Sequence, residues 1–62
     1  MGVRDIIKKG YVIQIYKKDG FRYRGEVILN GENFICILDF KINNKIFINW
    51  DSIKNIEILE ET

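Results

Sequence analysis

The side chains that most enzymes use for chemistry are nearly absent from this chain. It has no histidine, one cysteine, Cys36, and one serine, Ser52. A serine or cysteine nucleophile needs a neighbouring base, and without histidine the usual pairings cannot be assembled. The same composition offers no credible zinc set, and the carboxylates are scattered along the chain. We therefore expect a protein that is not an enzyme and holds neither a metal nor a cofactor.

Aromatic and amide side chains could instead support binding. Trp50 offers an indole face on which any base could stack, a contact worth about 1–3 kcal/mol. Phe34 is a second stacking candidate, and Asn33 and Asn49 each lie beside one of these two rings. Structural explanations remain open: Trp50 as an edge or inter-subunit packing residue, Phe34 as a core residue and Asn49 as a turn residue.

Arg22 and Arg24 are two residues apart, so they share one face of the strand predicted there. They are either part of a solvated face or a patch that contacts phosphate, where each neutralised phosphate adds salt-dependent affinity. The net charge of the whole chain is only +1, which gives no overall basic field. One copy of the patch is small, and repetition around a ring would multiply it.

Two turn signals organise the elements that must position these residues. Asp19-Gly20 and Asn30-Gly31 stand between apolar runs, and such pairs favour the type I′ turns of hairpins. They predict a three-stranded meander over residues 17–40. Gly25 lies in the middle strand, where glycine usually marks a bulge or a sharp bend.

The remaining segments extend this meander to a mostly β fold. An apolar spacing of i, i+3 and i+4 predicts a short N-terminal helix with Gly10 as its C-cap. We predict that a five-stranded, strongly bent antiparallel barrel follows it. The helix covers about residues 2–9, and the strands cover about 11–18, 21–30, 33–41, 45–50 and 54–59.

The length of 62 residues fits a single domain over 1–62 with a marginal core. Small folds compensate with disulfides, metals or oligomerisation, and this composition leaves only the last of these. The third strand is apolar on both faces, and the fourth and fifth are potential open edges. No stretch is long and apolar enough for a signal peptide or a membrane span, so we expect a cytoplasmic protein.

The chain resembles the Sm-like family of RNA-associated small β-barrels over nearly its whole length. The resemblance lies first in the segment DGFRYRGEV, which has the spacing of the first Sm motif. A turn glycine, an aromatic residue, a bend glycine and a small strand residue match there: Gly20, Tyr23, Gly25 and Val27. In the second motif, Ile48-Asn49-Trp50 stands where the family has Ile-Arg-Gly. Asn30 to Phe34, including Glu32, occupies the acidic loop.

The resemblance implies a homo-oligomeric ring of five to seven copies, closed head to tail through open strand edges, that binds single-stranded RNA. The RNA-binding residues would be those already singled out together with the loop glutamate: Arg22, Arg24, Glu32, Asn33, Phe34, Asn49 and Trp50. Two alternatives stay open. One is an SH3-like or Tudor-like protein-interaction barrel with a peptide groove made by Tyr11, Tyr16, Tyr23 and Trp50. The other is a ring that is purely structural.

Overall fold

One antiparallel sheet of five strands makes up most of the molecule. The structure is a computed structural model that describes residues 2–61, with only the backbone described at Val3. The ends of the predicted domain, Met1 and Thr62, lie outside the described residues. The strands are β1 (Val12–Lys17), β2 (Arg22–Asn30), β3 (Phe34–Asp39), β4 (Asn44–Asn49) and β5 (Ile53–Glu60). The mostly β prediction is confirmed, and each strand begins and ends within two residues of its predicted bounds.

The order across the sheet is β4-β3-β2-β1-β5, so the last strand pairs with the first. The hairpins turn at both predicted places, but neither turn is type I′, because only Gly20 of the four turn residues has a positive φ. Gly20 adopts a φ of 96°, and the Asp19 carboxylate accepts a hydrogen bond of 3.0 Å from the Phe21 N–H. In the next turn the Gly31 N–H donates to the Phe34 carbonyl at 2.8 Å. These turns fix the register that sorts side chains between the two faces.

Isoleucine and valine side chains from all five strands form the core on one face of the bent sheet. Its fully covered members include Ile13, Ile15, Val27, Ile35 and Ile37, each with no exposed surface. They alternate along their strands, as the two-residue period of a strand requires. Cys36 points to the other face of β3 and is still only 2% exposed, because its neighbours on that face cover it.

Gly25 is explained by a close approach between β2 and β3. A Cβ atom at this position would lie 2.1 Å from the carbonyl oxygen of Leu38. The register is continuous through Gly25, and the irregularity of β2 lies between Val27 and Leu29. The predicted bulge therefore lies three residues farther along β2. Gly25 is needed instead because a residue without a Cβ atom allows β2 and β3 to approach this closely.

The closed barrel predicted from the sequence is wrong within residues 2–61. β4 and β5 are the two edges of one open sheet and are not paired with each other. The chain leaves β4 through a 3-10 turn, Trp50–Ser52, and β5 then pairs with β1 at the opposite edge. The hydrogen bonds that would join the two edges are consequently not made, and both edges stay open.

The predicted helix over residues 2–9 is also wrong, because only a 3-10 turn, Val3–Asp5, forms there. The Asn30 side chain explains the difference. Its Nδ2 donates to the carbonyls of Arg4 at 2.8 Å and Ile7 at 3.0 Å, of which a helix over residues 2–9 would use the first and leave the second without an intrahelical partner. A helix this short is marginal on its own, so the tertiary bonds prevail. No helix in the described part of the chain is long and apolar enough to cross a membrane.

Candidate nucleic-acid interface

Five of the seven predicted site residues meet where the β2–β3 turn contacts the end of β4. Phe34 and Asn49 are direct partners in the β3–β4 register. The Trp50 backbone N–H donates to the Asn33 carbonyl at 3.1 Å, and the indole Nε1–H donates to the Gly31 carbonyl at 3.0 Å. Glu32 lies exposed between these two acceptors. We call this region, residues 31–34 with Asn49 and Trp50, the tryptophan junction.

Asn49 has a clear structural role within the junction. Its Oδ1 accepts from the Asp51 N–H at 2.9 Å and caps the 3-10 turn, while its carbonyl accepts from the Ser52 hydroxyl at 2.8 Å. The turn explanation of Asn49 therefore holds in the structure. Base recognition by Asn49 would have to use its remaining amide N–H groups.

Trp50 is partly buried and packs against the core. Both of its N–H groups are engaged by the β2–β3 turn, which leaves the face of the ring for other contacts. The Arg4 guanidinium carbon lies 5.1 Å from the ring centroid, within the range of a cation–π contact. Sequence reasoning missed Arg4, because the helix predicted for residues 2–9 gave no reason to place it on Trp50.

Phe34 is partly buried and packs against the exposed Phe47, with ring centroids 5.5 Å apart and an interplanar angle of 56°. Phe47 is 67% exposed on the edge strand β4, and Leu29 nearby on the same face is 50% exposed. Together these side chains cover Cys36. The sequence analysis did not single out Phe47, which has the largest exposed fraction among the large apolar side chains that the structure describes.

Arg22 and Arg24 lie on a different surface from the junction. They line a groove of about 770 Å³ together with Lys41. Three large apolar residues of the same groove are strongly exposed: Phe21 at 63%, Phe40 at 50% and Ile42 at 58%. We call this surface the arginine groove. The sequence analysis selected Arg22 and Arg24 as site residues. It did not predict that the β3–β4 turn supplies the other side of the groove.

Two groups near the arginines, the buried Asp39 carboxylate and the Tyr16 phenol, are held in other bonds. Asp39 is 4% exposed, and its Oδ1 accepts from the backbone N–H groups of Lys41 at 2.8 Å and Ile42 at 3.2 Å. The Tyr16 hydroxyl donates to the Glu57 carboxylate at 3.1 Å, and this hydrogen bond, with burial, raises the pKa of Tyr16. The phenol thus stays neutral beside the arginines.

The four aromatic residues of the alternative peptide groove do not converge. Tyr16, Tyr23 and Trp50 line three different grooves. Tyr11 is 9% exposed, and its hydroxyl donates to Glu61 at 3.3 Å. Burial and this carboxylate raise the pKa of Tyr11. A single aromatic groove for a peptide therefore gains no support from the described residues.

No family model, curated protein or solved structure matches this chain. Among residues 2–61, no group of three or more histidine, cysteine, aspartate or glutamate side chains is placed to hold a metal ion. Any functional assignment must therefore be argued from the geometry of the tryptophan junction and the arginine groove.

Proposed function

We propose that this protein is a non-enzymatic, cytoplasmic module of the Sm-like type that forms a homo-oligomeric ring and binds single-stranded RNA. The observation that carries RNA binding is the arginine groove. It combines three cationic side chains, Arg22, Arg24 and Lys41, with the exposed rings of Phe21 and Phe40. Proteins that bind single strands combine these two features, because cations follow the phosphates while aromatic rings stack the bases.

The exposure of the apolar residues in this groove supports a ligand. A chain of 62 residues has little apolar surface to spare, yet Phe21, Phe40 and Ile42 are each at least half exposed. Contiguous exposed apolar surface on a small protein usually marks an interaction site. The arginines and the lysine beside it favour a polyanion as the partner.

The two open edges of the sheet support the ring. β4 and β5 each present unpaired backbone groups at opposite edges, and β4 carries no proline to prevent pairing. Pairing of β4 from one copy with β5 of the next is a head-to-tail contact, which closes into a ring when the rotation per copy allows it. The exposed Phe47 would lie at this contact. We propose five to seven copies.

The tryptophan junction supplies the second part of the proposed RNA surface. Bases would stack on or near the faces of Trp50 and Phe34, while Asn33 and Asn49 would meet polar base edges beside Glu32. Repetition around the ring would place one junction and one arginine groove on every copy. Weak contacts repeated in this way gain affinity through effective concentration.

Absolute mass in solution is the first test of this proposal. Light scattering on a sizing column should give five to seven times the mass of one chain, and a monomer would contradict the ring. RNA binding is then tested with a labelled single-stranded oligonucleotide at several salt concentrations. A ring that binds no oligonucleotide would leave the purely structural alternative.

The double variant Arg22→Ala/Arg24→Ala tests the groove. If each arginine meets one phosphate, the slope of log affinity against log salt should fall by about 1.4, since each contact contributes about 0.7 for single strands. The matched control is Lys8→Ala/Lys9→Ala, which removes the same charge from exposed positions outside the groove. Equal effects of the two double variants would contradict the assignment of the groove.

A further inference from the structure

The N-terminal segment is fixed in place before any ligand arrives. Ile7 is 3% exposed and belongs to the core, and the Asn30 amide holds the carbonyls of Arg4 and Ile7. The Gly10 N–H also donates to the Val27 carbonyl at 2.9 Å. These contacts set the backbone position of Arg4 beside Trp50, so binding need not order the backbone of this segment.

Arg4 and Trp50 share a pocket of about 230 Å³ with Lys54 and Asn55. Within residues 2–61 neither Arg4 nor Lys54 forms an ion pair, the one salt bridge being Lys17–Asp19 at 3.5 Å. Two cations therefore face one pocket without a carboxylate to compensate them. The pocket also offers the planar guanidinium of Arg4 and the amide of Asn55 as groups that can contact a base.

We propose that this pocket is a nucleotide subsite, in which a base of the RNA stacks on the guanidinium plane of Arg4 and its phosphate binds Lys54. The inference rests on the proposed RNA binding and adds the N-terminal segment to it. The 5.1 Å between Arg4 and Trp50 leaves no room for a base between them. The base therefore lies on the outer face of Arg4, with Trp50 supporting the guanidinium from beneath.

Nucleotide binding explains the residues of this pocket better than a contribution of the Arg4–Trp50 contact to fold stability does. A cation–π contact at an exposed site stabilises a fold by only about 0.5–1 kcal/mol, and it does not require a second cation. Arginine planes and aromatic rings are the groups on which splayed RNA bases stack. Lys54 contributes the point charge that a phosphate needs.

Arg4→Ala tests this subsite, and Lys9→Ala is the matched control. Both remove one positive charge from an exposed residue of the N-terminal segment, but Lys9 does not line the pocket. Alanine at position 4 keeps the backbone carbonyl that accepts from Asn30. Affinity is measured by anisotropy of a labelled single-stranded oligonucleotide, and the thermal midpoint of each variant confirms folding. Trp50 is the only tryptophan, so its fluorescence reports on the pocket directly.

We expect Arg4→Ala to weaken binding roughly tenfold and to abolish the fluorescence response while leaving the salt slope unchanged, because the phosphate contact belongs to Lys54, whereas Lys9→Ala changes affinity less than twofold. Arg4→Lys should remain weakened, because an ammonium group cannot replace a stacking plane. Equal affinities of Arg4→Ala and Lys9→Ala, with RNA still bound, would overturn the subsite alone. Absence of binding by the unmodified protein would overturn the proposed function and the subsite together.

Discussion

Replacing Gly25 with alanine is the sharpest test of how the sheet is built. The new Cβ atom would lie 2.1 Å from the Leu38 carbonyl oxygen, 2.8 Å from its carbonyl carbon and 3.2 Å from the Asp39 Cα. All three are backbone atoms of β3, so no side chain can swing away to make room. Either β2 and β3 separate locally or the backbone of both strands distorts.

The magnitude follows from the distances. Restoring an ordinary contact of 3.4 Å from 2.1 Å requires a movement of about 1.3 Å, which is enough to break the ladder hydrogen bonds on either side. Two such bonds contribute about 1 kcal/mol each, and overpacking adds about 1 kcal/mol or more. The expected loss is about 3 kcal/mol. A chain of this length has a free energy of unfolding of about 3–9 kcal/mol, so much of the stability would disappear.

Urea unfolding followed by circular dichroism measures this loss. Gly2→Ala is the neutral control, since its Cβ would meet nothing within 4 Å. Gly20→Ala is an intermediate case, because it has open space but a φ of 96°, and the strain should cost about 1 kcal/mol. A Gly25→Ala variant as stable as Gly2→Ala would refute the close approach of β2 and β3.

Three further predictions concern single side chains. Trp50→Phe keeps a ring but removes the indole bond to Gly31, so the free energy of unfolding should fall by about 1 kcal/mol in denaturant titrations; no change would mean that this bond contributes nothing. The pKa of Tyr16 is raised in the folded protein, so its bond to Glu57 stabilises the fold fully below the unfolded pKa near 10 and is lost as pH rises through the folded pKa. Tyr16→Phe should therefore reduce the fall in the free energy of unfolding at alkaline pH. An unchanged fall would contradict a stabilising role of this bond. Phe47→Lys should shift the mass measured by light scattering toward one chain while leaving the circular dichroism spectrum unchanged, and an intact assembly would exclude Phe47 from the contact between copies.

The strands were predictable because their signals are local. The Asp19-Gly20 and Asn30-Gly31 turns and the alternation of isoleucine fix hairpins whose partners are near in sequence. The N-terminal helix failed because so short a helix is marginal on its own and a distant side chain, Asn30, bonds the Arg4 carbonyl that the helix would use. No periodicity within residues 2–9 could reveal this contact.

The candidate site was predictable only in part for the same reason. Asn33, Phe34, Asn49 and Trp50 come together because β3 and β4 are neighbours in sequence as well as in space. Arg4 reaches Trp50 across most of the length of the chain, and no local pattern predicts that contact. Residue types indicated which side chains could bind RNA. Only the structure shows that these side chains are divided between the tryptophan junction and the arginine groove.

The pairing of the first strand with the last has a consequence for how the protein matures in the cell. Ile13 and Ile15 of β1 pair with Ile58 and Ile56 of β5, and β5 is synthesised after the other four strands. A growing chain therefore exposes one side of its core until β5 has been made. We expect a chain that stops at Asn49 to be cleaved rapidly by protease, while a chain that extends through β5 resists it. Equal resistance of both would show that the hairpins fold stably without their closing strand.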